Sequence, residues 1–124
     1  MTRFVLLKHN HPFLHWDLML EVEESLWTWR LDRPPRYHDT QFAERIADHR
    51  KIYLDYEGPI SGGRGEVRRE VSGTLEWLLQ EETKLMGYLK SNHLEGVVTM
   101  ERLSDNNMQW SIYLIPGRAS TESP

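Results

Sequence analysis

The segment Leu14–Val22, Leu-His-Trp-Asp-Leu-Met-Leu-Glu-Val, alternates with a period of two, and that constrains the fold more than any other stretch of the chain. An extended backbone sends successive side chains to opposite faces. Trp16, Leu18, Leu20 and Val22 therefore share one face, and His15, Asp17, Met19 and Glu21 share the other. A face that sets imidazole beside carboxylate is costly to bury unless something occupies it. A divalent cation is the obvious occupant, and His9, at the end of the preceding apolar run, can supply a third ligand. Two nitrogens and one oxygen leave coordination positions open, as catalysis requires. The ligand set suits manganese, iron, zinc or nickel alike.

The rest of the chain repeats the strand signal. Arg3–Lys8, Leu26–Leu31, Ile52–Glu57, Glu66–Val71, Thr74–Leu78, Lys84–Leu89, Gly96–Leu103 and Met108–Ile115 all read as strands separated by turn residues. Gln41–Arg50 is ambiguous, because Phe42, Ala43 and Ile46 also fit a short helix. Many short strands at hairpin spacing imply a mainly β fold: a small, closed or nearly closed antiparallel β-barrel with at most a short helix. In such a barrel alternate residues point inward, which would let His15 and Asp17 share an interior cavity. Trp77 and Trp110 are assigned to packing. The expected organisation is one domain over residues 1–115 with a disordered tail over 116–124, since 124 residues suffice for one ordinary core.

Cysteine is absent, which excludes disulfides and thiolate metal sites. No segment is apolar enough to span a membrane and Met-Thr-Arg-Phe-Val does not open a signal peptide, so a cytoplasmic location without membrane partners is expected. A net charge of −4 argues against nonspecific coating of nucleic acid, but clustered arginines suit recognition of a few phosphates. Two further groups carry possible chemistry. His49 and Tyr53 lie four residues apart, so one helical turn would bring imidazole and phenol together to bind phosphate or protonate a leaving oxygen. A capped turn with a packed tyrosine explains the same spacing. Gly62-Gly63-Arg64-Gly65 can embrace an anion through its backbone, but a long hairpin loop accounts for it more simply.

With these residues placed, the chain resembles the 3′-phosphoesterase domain family found at the amino end of bacterial DNA ligase D and as stand-alone proteins. Arg3-Phe4-Val5, Lys8-His9 and Leu14-His15-Trp16-Asp17-Leu18-Met19-Leu20-Glu21 match the family opening, and Asp48-His49, Tyr53 and Glu57-Gly58 resemble its later signature. Gly73-Thr74-Leu75-Glu76 and Trp110-Ser111-Ile112-Tyr113-Leu114 are similar to its final strands. The resemblance implies manganese held by His9, His15 and Asp17, with His49 and Tyr53 beside the scissile phosphate. It implies removal of 3′-terminal ribonucleosides and 3′-phosphates from nucleic acid 3′ ends, leaving a hydroxyl for repair by end joining. No ligase or polymerase motif occurs here, so those steps would fall to separate partner proteins. The sequence departs from the family at Met19, where an arginine is expected. Either Arg30, Arg45 or Arg64 takes over that phosphate contact, or turnover is weak or lost. The competing reading is a non-catalytic module that binds 3′ ends and recruits a ligase. A cupin-like metal oxygenase or isomerase shares the barrel and the ligand types.

Overall fold

Alternation along each strand determines what the sheet encloses. In a computed structural model, which describes residues 1–105 and 108–117, nine strands run in chain order. They are β1 (Arg3–His9), β2 (His15–Val22), β3 (Ser25–Leu31), β4 (Thr40–Arg50), β5 (Gly58–Pro59), β6 (Glu66–Gln80), β7 (Lys84–Lys90), β8 (Glu95–Arg102) and β9 (Gln109–Pro116). All the strand pairings are antiparallel, in the order β1-β2-β3-β4-β9-β8-β7-β6-β5. A further pairing of β1 with β6 closes eight of them into a ring, leaving β5 as a short addition. Closure matters because an open edge exposes unpaired backbone groups.

The ring interior takes one side-chain set from each of its eight strands. Phe4, Leu6, Leu18, Leu20, Trp29, Leu31, Ala43, Leu75, Leu89, Val98, Met100, Trp110 and Ile112 are buried together. Trp29 and Trp110 meet edge to face at 5.6 Å between ring centroids, an arrangement that adds about 0.5–1.5 kcal/mol to simple burial. Trp77 packs against the same cluster.

A second, smaller cluster lies on the outside of the ring. Val5, Leu7, Met19, Leu26 and Val67 face outward from β1, β2, β3 and β6. Leu54 covers them, with Tyr53, Tyr56 and Ile60 packed alongside. The covering segment begins as a 3₁₀ turn over Lys51–Leu54 and is pinned to the ring at both ends. Lys51 Nζ pairs with Glu21 at 2.8 Å, and the Arg3 guanidinium pairs with Asp55 at 2.7 Å. The Arg3 hydrogen bond and charge hold the Asp55 carboxyl below its usual range. Burial pushes Glu21 up, but bonds from Lys51 and the Arg3 backbone N–H outweigh it and leave the carboxyl lowered.

One ambiguous segment is resolved and several expectations are corrected. Gln41–Arg50 is strand, because its first half pairs with β9 up to Glu44 and its second half pairs with β3 from Glu44 to Arg50. Ile52–Glu57 is not extended; its first residues form the 3₁₀ turn. His15 and Asp17 lie on the outer face with Met19, so the interior cavity expected for them is filled by apolar side chains. Glu66–Val71 and Thr74–Leu78 merge into the single strand β6. Pro116 pairs with Gly96 at the end of β9, while residues 118–124 of the expected tail, and Asn106 and Asn107 of the expected turn, lie outside the described residues. Among the described residues no helix is long and apolar enough to cross a membrane.

Candidate metal centre

The hairpin of β1 and β2 sets His9 opposite His15 and Leu7 opposite Asp17. Both pairs point to the outer face, so two imidazoles and a carboxylate converge. His15 Nε2 lies 3.3 Å from an Asp17 oxygen and His9 Nδ1 lies 3.8 Å from the same oxygen. The three donor atoms all fall within 4.8 Å of one another. His15 is 1% exposed and Asp17 3%, whereas His9 sits at the mouth.

Backbone carbonyls fix which nitrogen of each ring faces the centre. A carbonyl only accepts, so the nitrogen beside it carries the proton. His15 Nδ1–H donates to the Phe13 carbonyl at 2.9 Å, and His9 Nε2–H donates to the Arg64 carbonyl at 2.9 Å. In their neutral form both rings then turn an unprotonated nitrogen toward the carboxylate, which makes an acceptor-only cluster. His15 Nε2 and Asp17 Oδ1 are buried with no hydrogen-bond partner. Orphaned buried acceptors cost about 1–3 kcal/mol each, and a cation removes that cost. Orientation of ligating histidines by carbonyls is the usual outer support of a metal site. The donor set thus fits a divalent ion with coordination positions to spare.

A cavity of about 230 Å³ opens over the centre. His9, Asp17, Met19, Arg30, His49, Tyr53 and Arg64 are among its walls. His49 reaches it from the end of β4, where one extra residue on β4 shifts the register with β3 and sets His49 opposite Leu26. Its Nδ1–H donates to the Ala47 carbonyl at 2.9 Å, leaving Nε2 free to meet a ligand. The Tyr53 ring stands 5.6 Å from it, edge to face, and Tyr56 backs Tyr53 at 6.0 Å. The four-residue spacing does bring the two together, through a strand end and a 3₁₀ turn and not a helix.

The arginines separate. Arg30 stands opposite Asp17 across β2 and β3 and borders the cavity. Arg64 borders it from the glycine loop, where its Nε donates to the Ser61 carbonyl at 2.7 Å. Arg45 is elsewhere: its guanidinium lies over Trp27 and Trp29 at 5.1 and 4.7 Å and pairs with Asp48 at 3.1 Å. It belongs to the same side of β4 as the interior residue Ala43, because it is two positions away. Met19 packs into the outer apolar cluster and gives the cavity an uncharged wall.

The supports of the centre are what residue types could not reveal. Phe13 and Arg64 act through carbonyls, which every residue has. Asn10 acts through Oδ1, which accepts the Glu66 N–H at 2.9 Å and ties the ligand hairpin to the glycine loop. Gly65 makes that tie possible, with φ +74° and no room for a Cβ, which would stand 2.2 Å from Asn10 Oδ1.

The family model described as DNA Ligase D 3′-phosphoesterase domain matches residues 7–111. A curated relative, the multifunctional non-homologous end joining protein LigD of Pseudomonas aeruginosa, is 31% identical over 65 residues, which make up 51% of this chain and 8% of that protein. The chain thus spans a small fraction of that relative's length.

Proposed function

We propose, from the premise that this chain belongs to the DNA ligase D 3′-phosphoesterase domain family, that it is a manganese-dependent end-healing phosphoesterase. It would remove 3′-terminal ribonucleosides, 3′-phosphates or both from nucleic acid ends, leaving a 3′-hydroxyl for end joining by separate ligase and polymerase proteins. The observation that carries the proposal is the acceptor-only cluster of His9, His15 and Asp17 beneath a cavity bearing arginines. Bound there, a divalent ion supplies Lewis acidity toward a nonbridging phosphate oxygen.

The chain's own groups supply the rest. Arg30 and Arg64 offer charge-assisted hydrogen bonds to the phosphate. His49, held through Nδ1–H, keeps Nε2 toward the substrate, where a protonated ring donates to developing charge or to the leaving oxygen. Tyr53 orients the phosphate beside it. Arg45, engaged by two tryptophans and Asp48, has no part in this reading.

Met19 favours a second reading, an end-binding module without turnover, since no charge takes the family arginine's place on that wall. One assay separates the two. Purified protein is incubated with and without manganese on primer-templates ending in a ribonucleotide or a 3′-phosphate, with His15→Ala in parallel. Metal-dependent shortening or dephosphorylation, lost in the variant, is the expected result. End binding without turnover supports the module and refutes the enzyme.

A further inference from the structure

A second concavity, distinct from the one over the metal centre, has a different lining. It is a groove of about 650 Å³ beside that cavity, and Arg30 lines both. His15, whose Nε2 reaches the Asp17 carboxylate, forms part of the groove wall. Phe13 is edge-on to His15 at 5.6 Å and has the Arg30 guanidinium 5.7 Å from its ring centre.

The groove exposes apolar surface that folding leaves uncovered. Phe42 is 75% exposed and Phe13 57%, although both are large aromatics. Phe42 lies two residues before Glu44 on β4, and Glu44 pairs with Arg30, which pairs with Asp17. The aromatic ring and the metal ligand therefore belong to one outward-facing surface.

Charge divides the two concavities. The groove carries Asp32 and Glu44 and, as its only cation among the described residues, Arg30. The cavity over the centre carries Arg30 and Arg64 against one carboxylate, the ligand Asp17, and a smaller one beyond it adds Arg50 to Arg64 with no carboxylate in its walls. A phosphate chain is repelled from the first and drawn to the others. A neutral, flat, aromatic group is suited to the first, because base stacking on aromatics needs only a π-face.

We infer that the groove is a nucleobase subsite, holding the base of the 3′-terminal nucleotide against Phe42 and Phe13 while its phosphate lies over His9, His15 and Asp17. The inference rests on the end-healing reading and deepens it. It orients the strand, base toward β4 and β9 and phosphates toward Arg64. Arg30 stands at the junction, with Nε buried and unpartnered, where it meets the phosphate nearest the base.

The test compares oligonucleotide ends whose terminal nucleotide carries a base or is abasic, using the full chain with manganese. Stacking is worth about 1–3 kcal/mol per base, so the abasic end should lower kcat/KM by roughly 5- to 150-fold. In Phe42→Ala the ratio between the two ends should fall toward one, and Phe42→Tyr should restore it. A parallel arm places 2-aminopurine at the terminal position and reads its fluorescence on binding, with no turnover needed. Quenching in the wild type that weakens in Phe42→Ala supports the subsite. Equal rates on both ends, or fluorescence indifferent to Phe42, overturns it. Turnover absent from every end, with quenching intact, refutes end healing and leaves the subsite standing.

Discussion

Gly65→Ala tests whether the glycine loop positions the metal ligands. Gly65 has φ +74°, a region that costs an L residue about 1–2 kcal/mol. The new Cβ would lie 2.2 Å from Asn10 Oδ1 and 2.7 Å from His11 Cβ, so Asn10 must move and release the Glu66 N–H. Losing that hydrogen bond costs about 1 kcal/mol more. The total of about 2–3 kcal/mol corresponds to roughly 10 °C in Tm for a domain of this size. The Arg64 carbonyl, one residue away, moves with the loop and no longer fixes the His9 ring. Loss of such support weakens metal binding by roughly 10- to 100-fold. Thermal melts in EDTA read the first effect, and manganese titration followed by electron paramagnetic resonance reads the second. Gly63→Ala is the control, since Gly63 has φ +67° and nothing within 4 Å of the added carbon. It should lose stability by the backbone cost alone and keep its manganese affinity. A Gly65→Ala protein that melts early yet binds manganese as tightly as the wild type would refute the coupling.

Met19→Arg should speed 3′-phosphate removal, since the stem can replace methionine in the outer cluster while the head reaches the cavity; an unchanged rate would mean that Arg30 or Arg64 already fills the role. His49→Ala should slow single-turnover cleavage by about 10²- to 10⁴-fold without altering manganese affinity, and a loss of metal instead would reassign the residue. Asp55 and Glu21 have lowered carboxyl pKa values, so their pairs with Arg3 and Lys51 stabilise the fold above the ordinary carboxylate range and lose that contribution as pH falls below it. Melting between pH 7 and pH 3, in about half-unit steps, should show a shallower acid decline in an Asp55→Asn, Glu21→Gln double variant than in wild type. Parallel curves would mean that the two ion pairs carry no net linkage.

The alternation of β2 made the sheet and the sharing of a face by His15 and Asp17 readable from the sequence. It did not reveal which face looks inward, because both faces of β2 are buried: Leu18 and Leu20 in the ring, Met19 under Leu54. The polar stripe of His15, Asp17 and Glu21 does lie outside, but His15 and Asp17 are buried there, so polarity did not translate into exposure. Gln41–Arg50 is ambiguous in sequence for a related reason. Phe42 and Ala43 suggest a helical stripe, yet Phe42 is exposed and Ala43 buried, as adjacent strand positions must be. Pairing with β9 and then with β3 outweighs local propensity there. Ile52 and Tyr53 have strand-like side chains, but Lys51–Glu21 and Arg3–Asp55 are long-range pairs that hold the segment in its turn. Arg45 could not be told from Arg30 and Arg64 by type, since its place over two tryptophans depends on strand register.

Diffraction from crystals soaked in manganese, collected at the manganese absorption edge, addresses the centre itself. An anomalous peak bonded to His9 Nδ1, His15 Nε2 and an Asp17 oxygen is expected, with further positions filled by water. A map without a peak among those three side chains, from crystals whose protein still heals 3′ ends with manganese, would contradict it.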